Sequence, residues 1–190
     1  MAELSYHEQR GRIEAYFDRT AAAAWARLTS DAPLGRIRAS VRAGRERMRD
    51  TLLSWLPQDL SGARVLDAGC GLGHGLRALH AAWPAARIEG VEWSALLAWA
   101  CARRCRFAAV RRGDLWAGDW RGLQLVYLFQ RPESMARAWA KAEAELPRGA
   151  WLVSLEFAVP GVQPWRRLDA GGGRPLWLYR MDSKKCSDGR

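Results

Sequence analysis

The chain is poor in cysteine: only four are present, and no two form a C-x-x-C pair. A small disulfide-stapled scaffold is thereby excluded. His7, His74 and His80 add no ligand-like spacing to Cys70, Cys101, Cys105 and Cys186, so no metal site is expected. Lysine is scarcer still, with Lys141, Lys184 and Lys185 the only three, and the net charge of +10 is therefore carried almost wholly by arginine. Long apolar runs are missing as well. The longest, Ala95 to Ala102, falls far short of the roughly 20 residues that a membrane span needs. The opening stretch MAELSYHEQRGRIEAYF has no basic segment followed by an apolar one, so it does not read as a secretion leader. These absences together describe a soluble, cytoplasmic protein with reduced thiols.

What remains is an ordinary globular composition, 49% hydrophobic and 26% charged, in 190 residues that can bury about two-thirds of their unfolded surface as one main domain. The basic excess favours an anionic partner: a carboxylate- or phosphate-bearing small molecule, a nucleic acid or a membrane surface. Eleven tryptophans could stack on bases, but most sit inside apolar periodic segments where core packing is the simpler role. Nucleic acid is therefore not the favoured partner.

The chain divides near residue 60. From Glu8 to Leu56 the pattern is helical, broken at Ser30-Asp31-Ala32-Pro33, which predicts two helices forming an N-terminal cap over residues 1–60. In the second, Ile37, Val41, Met48, Leu52 and Trp55 share one face, while Arg38, Arg42, Arg45 and Arg49 form a basic stripe on another. That stripe is either a surface for an anionic ligand or a solvated face opposite the core. Over residues 61–182, short apolar runs alternate with helical ones, the signature of a doubly wound, mostly parallel sheet. Seven strands are expected: Arg64 to Asp67, Arg87 to Glu92, Phe107 to Arg111, Gln124 to Phe129, Trp151 to Phe157, Val162 to Arg167, and Leu176 to Met181. Helices are expected over Gly75 to Trp83, Ser94 to Cys105 and Pro132 to Leu146. The last two strands flank Asp169-Ala170-Gly171-Gly172-Gly173, which predicts an antiparallel C-terminal hairpin. A polar tail, residues 183–190, follows.

The segment richest in chemistry is Val65-Leu66-Asp67-Ala68-Gly69-Cys70-Gly71-Leu72-Gly73. An apolar strand ends in an acid and then in alternating glycines before a helix, so the backbone can turn sharply and admit a ligand where a Cβ would stand in the way. Glu92 ends the next strand, where a carboxylate can accept both hydroxyls of a ribose. Asp114 follows the third strand and is placed to accept from an exocyclic amine. For each acid the structural alternative is a helix cap or a solvated strand end. A dinucleotide site usually reads G-x-G-x-x-G with no acid just before it, whereas this turn reads D-x-G-x-G-x-G.

That constellation, with the terminal hairpin, resembles the class I S-adenosylmethionine-dependent methyltransferases over roughly residues 60 to 181. The resemblance implies a Rossmann-like fold, S-adenosylmethionine as cofactor and three roles. Asp67, Gly69, Gly71 and Gly73 would wrap the methionine part, Glu92 would hold the ribose, and Asp114 would cap the adenine.

Two narrower resemblances differ over the acceptor. Tyr16-Phe17-Asp18-Arg19-Thr20, Trp25-Ala26-Arg27-Leu28-Thr29, Val41-Arg42-Ala43-Gly44-Arg45 and Trp55-Leu56-Pro57 resemble the N-terminal part of the magnesium-protoporphyrin IX O-methyltransferases of bacteriochlorophyll synthesis. That family methylates a propionate carboxylate, which is already a nucleophile and needs positioning rather than a general base. On this resemblance Arg38, Arg42, Arg45 and Tyr127 are candidates for holding an anionic porphyrin. Residues 87 to 181 instead resemble small bacterial class I methyltransferases of unassigned substrate, distantly similar to protein-lysine methyltransferases with a Gly-Asp-Leu-Trp segment, here Gly113-Asp114-Leu115-Trp116. The chain reads like a mosaic joined near the glycine turn. A protein side chain or another small molecule is thus the alternative acceptor, and a catalytically inactive basic module for RNA or acidic lipid is the alternative of a different class. In open α/β sheets ligands sit beyond the carboxyl ends of the strands, which makes Gln130, Arg131 and Glu156 the candidate catalytic residues. Gln130 would orient a nucleophile, Arg131 clamp a carboxylate and Glu156 accept a proton. Their structural alternatives are a helix start for Arg131 and an ion pair for Glu156. Cys101 and Cys105, four apart on one helix, read as core packing.

Overall fold

The computed structural model describes residues 50–57, 59–169 and 175–181. The basic stripe of Arg38, Arg42, Arg45 and Arg49, the helical break, the glycines of the C-terminal hairpin and the tail lie outside these residues. The described chain opens on a helical stretch over 50–55, whose Leu52 and, just beyond it, Leu56 are buried against the sheet.

The elements that follow are β1 (Arg64–Ala68), α1 (His74–Ala82), β2 (Arg87–Glu92), α2 (Ala95–Arg104), β3 (Ala109–Arg112) and β4 (Leu125–Leu128). A single 3-10 turn (Pro132–Ser134) leads into α3 (Met135–Glu145), followed by β5 (Trp151–Leu155), β6 (Arg166–Asp169) and β7 (Pro175–Arg180). The seven strands form one sheet in the order β3-β2-β1-β4-β5-β7-β6. The pairs from β3 to β5 are parallel, and β7 runs antiparallel to both β5 and β6. A doubly wound, mostly parallel sheet with a terminal antiparallel pair was the expectation, and it holds.

Alternation along the strands sorts two cores. Val65, Leu125, Val153, Leu176 and Leu178 point to one face, where Leu76 and Leu79 of α1, Cys101 of α2 and the N-terminal Leu52 and Leu56 cover them. Leu66, Val126, Leu128, Leu152 and Tyr179 point to the other, beneath Met135, Ala138 and Ala142 of α3. Each fully buried leucine contributes roughly 1.5–3 kcal/mol, so the paired layers hold the sheet edges that carry the site. Tyr179 is itself buried, and its hydroxyl accepts from the Val159 amide at 2.7 Å.

β2 has its expected bounds, β1, β4 and β7 shift by a single residue at one or both ends, and three strands differ by two residues or more. β3 begins at Ala109 rather than Phe107, because Phe107 leaves the sheet to stack on His80 at 4.1 Å. β5 stops at Leu155 rather than Phe157, because Glu156 takes a left-handed backbone with φ of 73°. β6 spans Arg166–Asp169 rather than Val162 to Arg167; the Pro160-Gly161 turn intervenes, and the half-buried Val162 packs into the α3-side core instead of a ladder. Apolar periodicity alone cannot separate a strand end from a loop that folds back onto the core.

Candidate active site

The turn after β1 lies where the order of strands reverses, with β2 on one side of β1 and β4 on the other, the usual place for a ligand in an open α/β sheet. All three alternating glycines have positive φ, each for a separate reason. Gly69, at 96°, lets its own amide and that of Cys70 both reach the Val91 carbonyl, at 2.8 and 3.1 Å, so the turn is bolted to the end of β2. Gly71, at 52°, has no atom within 4 Å of the point where a Cβ would stand, which leaves open space over the turn. Gly73, at 82°, caps α1, and a Cβ there would run into the sulfurs of Cys105 and Cys101. Gly71 thus keeps room for a ligand, whereas Gly73 serves close packing.

Those sulfurs form a buried group beneath the turn. Cys70 Sγ lies 3.7 Å from Cys101 Sγ, and the Cys105 thiol donates to the Gly73 carbonyl at 3.6 Å. Burial pushes the Cys105 thiol up to about 11, so it remains a protonated packing group. No three His, Cys, Asp or Glu side chains among the described residues are arranged to hold a metal ion.

Glu92 is buried at the end of β2, and both of its oxygens are engaged. Oε2 accepts from the Gly71 amide at 2.9 Å and Oε1 from the Ser94 amide at 2.8 Å. Ser94 in turn caps α2, its hydroxyl accepting from the Leu97 amide at 3.1 Å. A carboxylate can accept at about four lone-pair sites. Asp67 lies deeper. Its carboxyl sits against Gly75 in the first turn of α1, where any Cβ would overlap it. Burial, and secondarily the negative charge of Glu92, push the Asp67 carboxyl up to about 7. Asp114 follows β3, and its Oδ1 accepts from the Trp116 amide at 2.9 Å, closing the local turn. The Gly113 amide donates to the Glu92 carbonyl at 3.0 Å and brings that loop beside β2. Asp67, the three glycines, Glu92 and Asp114 therefore lie at or just beyond the carboxyl ends of the adjacent strands β1, β2 and β3.

The ends of β4 and β5 form the adjoining rim. Gln130 reaches back toward the glycine turn, its Nε2 lying 3.8 Å from where a Gly69 Cβ would stand. Tyr127 is in register with Asp67, half-buried and packed against the α1-side core. Arg131 is exposed at the start of the 3-10 turn and pairs with Glu133 at 3.1 Å, which is the helix-start role weighed for it. Glu156 is held by its backbone: its amide donates to the Pro175 carbonyl at 2.7 Å and its carbonyl accepts from Trp177 Nε1 at 3.2 Å. It is the only non-glycine residue with positive φ among those described, and such a conformation costs of order 1–3 kcal/mol.

Two aromatic rings on this rim were not singled out from the sequence. Phe129 and Phe157 stand nearly parallel, 3° apart with centroids at 6.2 Å, and Phe129 is 45% exposed. The buried Ser154 fixes the second by donating to the Phe157 carbonyl at 2.7 Å. The available signal was an aromatic residue just past each of two neighbouring strands.

The sequence profile of the ANTKMT methyltransferase domain matches residues 67–166, from the acid of the glycine turn to the start of β6. Among curated proteins, the magnesium-protoporphyrin O-methyltransferase of Rhodobacter capsulatus is 58% identical over 69 residues, 36% of this chain and 31% of that protein. The chain thus matches about a third of the length of that relative. Among solved structures, the magnesium protoporphyrin IX methyltransferase of Synechocystis PCC 6803 with bound SAM superposes with a TM-score of 0.71 at 17% identity, covering 95% of this chain and 99% of that one. An RNA methyltransferase from Salinibacter ruber in complex with S-adenosyl-L-homocysteine superposes with a TM-score of 0.67 at 19% identity, covering 83% and 98%. These structures share the fold of this chain.

Proposed function

This chain belongs to the ANTKMT methyltransferase domain family, and from that premise we propose that it transfers a methyl group from S-adenosylmethionine to an acceptor seated at the carboxyl ends of β4 and β5. The observation that carries the reading is the open space over Gly71, next to the buried carboxylate of Glu92 that fixes the Gly71 amide. When bound, S-adenosylmethionine supplies an electrophilic methyl group on a sulfonium sulfur. The residues of the chain have to hold, align and desolvate. Glu92 fixes the turn and, as an acceptor at the end of β2, is placed to hold ribose hydroxyls, the turn leaves the backbone close to the methionine part, and Asp114 borders the adenine end. Gln130, beside Gly69, is placed to orient the incoming nucleophile, and Phe129 and Phe157 present an apolar wall that excludes water.

For the acceptor, the carboxylate of a magnesium porphyrin is supported by the 58% identity to the Rhodobacter capsulatus enzyme. A carboxylate needs no general base, and a neutral amide at Gln130 can donate to it. A second reading, N-methylation of a protein side chain, rests on the likeness of Gly113-Asp114-Leu115-Trp116 to the Gly-Asp-Leu-Trp segment of protein-lysine methyltransferases, which lies inside the matched residues 67–166. Calorimetry with S-adenosylhomocysteine tests the cofactor assignment. A methyl-transfer assay offering magnesium protoporphyrin and, separately, a lysine-bearing protein then chooses between the acceptors. Failure to bind S-adenosylhomocysteine overturns the reading altogether.

A further inference from the structure

The two layers of the sheet differ sharply in charge. Between His74 and Gly113, which carry α1 and α2, there are seven arginines and only two acids, Glu89 and Glu92, both on β2. Glu92 is buried and Glu89 pairs with Arg64 at 2.8 Å, so neither offsets the outer surface. Between Asp114 and Glu145, which carry α3, five acids accompany four basic residues. Of these two segments, the one that carries α1 and α2 is the strongly basic one.

That same segment carries exposed apolar side chains. Leu96, Trp99 and Arg103 are spaced three and four apart and so form one stripe along α2. Trp99 is 60% exposed and Leu96 41%, and Phe107 just beyond the helix is 39% exposed. The Arg103 guanidinium lies 5.1 Å over the Trp99 ring, and an open hollow of about 430 Å³ is lined by Trp99, Ala102, Arg103 and Arg106. Tryptophan, leucine and phenylalanine beside arginines, with no carboxylate between them on α2 or up to Phe107, match a phosphate-bearing apolar boundary. A nucleic acid would be served by the arginines and by Trp99, but it gives an exposed leucine nothing to stack on. No helix among the described residues is long and apolar enough to cross a membrane, so such a contact lies on the surface.

We infer that the outer face of α2, with Leu96, Trp99, Arg103, Arg106 and Phe107, is a docking surface for an anionic phospholipid membrane. The apolar side chains enter the headgroup boundary and the arginines meet lipid phosphates. Because α2 is capped by Ser94, whose amide Glu92 holds, docking would bring the edge of the proposed cofactor site to the lipid.

The test is flotation of the whole chain with phosphatidylcholine vesicles, with and without about a third phosphatidylglycerol. The parent is expected to float with the anionic vesicles only, and less as salt is added. The variant Trp99→Ala/Arg103→Gln/Arg106→Gln should lose roughly thirtyfold or more in vesicle affinity while keeping its affinity for S-adenosylhomocysteine. Arg121→Gln/Arg148→Gln removes the same charge from exposed positions off this face, and should float as the parent does. Equal loss in both variants would reduce the effect to net charge and overturn the assignment. So would failure of the parent to float, or binding of a single-stranded RNA at lower concentration than vesicles by way of the same three residues. If the triple variant folds poorly, Trp99→Ser alone replaces it and must still weaken flotation.

Discussion

The carboxylate of Glu92 accepts from the amide of Gly71 at 2.9 Å, so the end of β2 and the glycine turn of β1 are held as one unit. Loss of that link should be felt in both binding and stability. Glu92→Ala leaves two backbone amides, those of Gly71 and Ser94, without their acceptor and removes the proposed ribose contact. A weakening of S-adenosylhomocysteine binding by about ten- to a hundredfold is expected, from charge-assisted hydrogen bonds worth roughly 1.5–3 kcal/mol. Glu92→Gln keeps one acceptor oxygen and should lose less. Calorimetry on both variants checks this, and unchanged affinity in both would leave Glu92 as a brace for the turn and nothing more.

Asp67 makes a separate prediction about pH. Its folded-state value of about 7 lies above the unfolded one, near 3.9, so between them the folded chain keeps a proton that the unfolded chain has lost. Stability contributed by this group is therefore complete at the acid end of that window and declines as pH rises through it, levelling off above about pH 7. Asp67→Asn abolishes the titration. Relative to the variant, the parent should lose up to about 4 kcal/mol across the window, read from urea unfolding at a series of pH values. Parallel curves for the two proteins would show that the carboxyl does not titrate in this range.

Much of this site was legible because it rests on local rules. An acid at the end of an apolar strand followed by alternating glycines specifies a turn, and Glu92 at the next strand end follows from the same periodicity. What could not be read were distances between segments far apart in the chain. That Gly73 must lack a Cβ because Cys101 and Cys105 press against it, or that Gly75 makes room for the Asp67 carboxyl, depends on tertiary packing alone. The pairing of Phe129 with Phe157 is of the same kind, since it needs β4 and β5 to be neighbours. The strand limits at β5 and β6 failed for a different reason: a left-handed Glu156 and the turn at Gly161 break the ladder inside a run that remains apolar.

The differing reasons for Gly71 and Gly73 can be separated by substitution. Gly71→Val puts a branched side chain into open space at positive φ, costing about 1–3 kcal/mol in strain while leaving the core untouched. The chain should stay folded and lose measurable S-adenosylhomocysteine binding. Gly73→Ala adds overpacking of about 1–3 kcal/mol against the buried thiols to a similar strain. Its melting temperature should therefore fall further than that of Gly71→Val. Retained ligand affinity in Gly71→Val would mean that the space over the turn is not where the cofactor lies.

The porphyrin reading can be tested through the arginines at 38, 42, 45 and 49, which recur at the four-three-four spacing that a helix would bring to one face. Replacing Arg38, Arg42, Arg45 and Arg49 together by glutamine removes four charges and barely changes helix propensity. The glycine turn and Glu92 are far along the chain, so S-adenosylhomocysteine affinity should survive. Binding of magnesium protoporphyrin should weaken, and in the parent it should fall with added salt, because exposed charges are screened over roughly 10 Å at 0.1 M ionic strength. A merely solvated stripe predicts altered solubility and an unchanged porphyrin affinity. That result, or a parent that binds no porphyrin, would move the acceptor to the proposed alternative, a protein side chain, whose supporting segment Gly113-Asp114-Leu115-Trp116 lies within the matched residues and far from the N-terminal stripe in sequence.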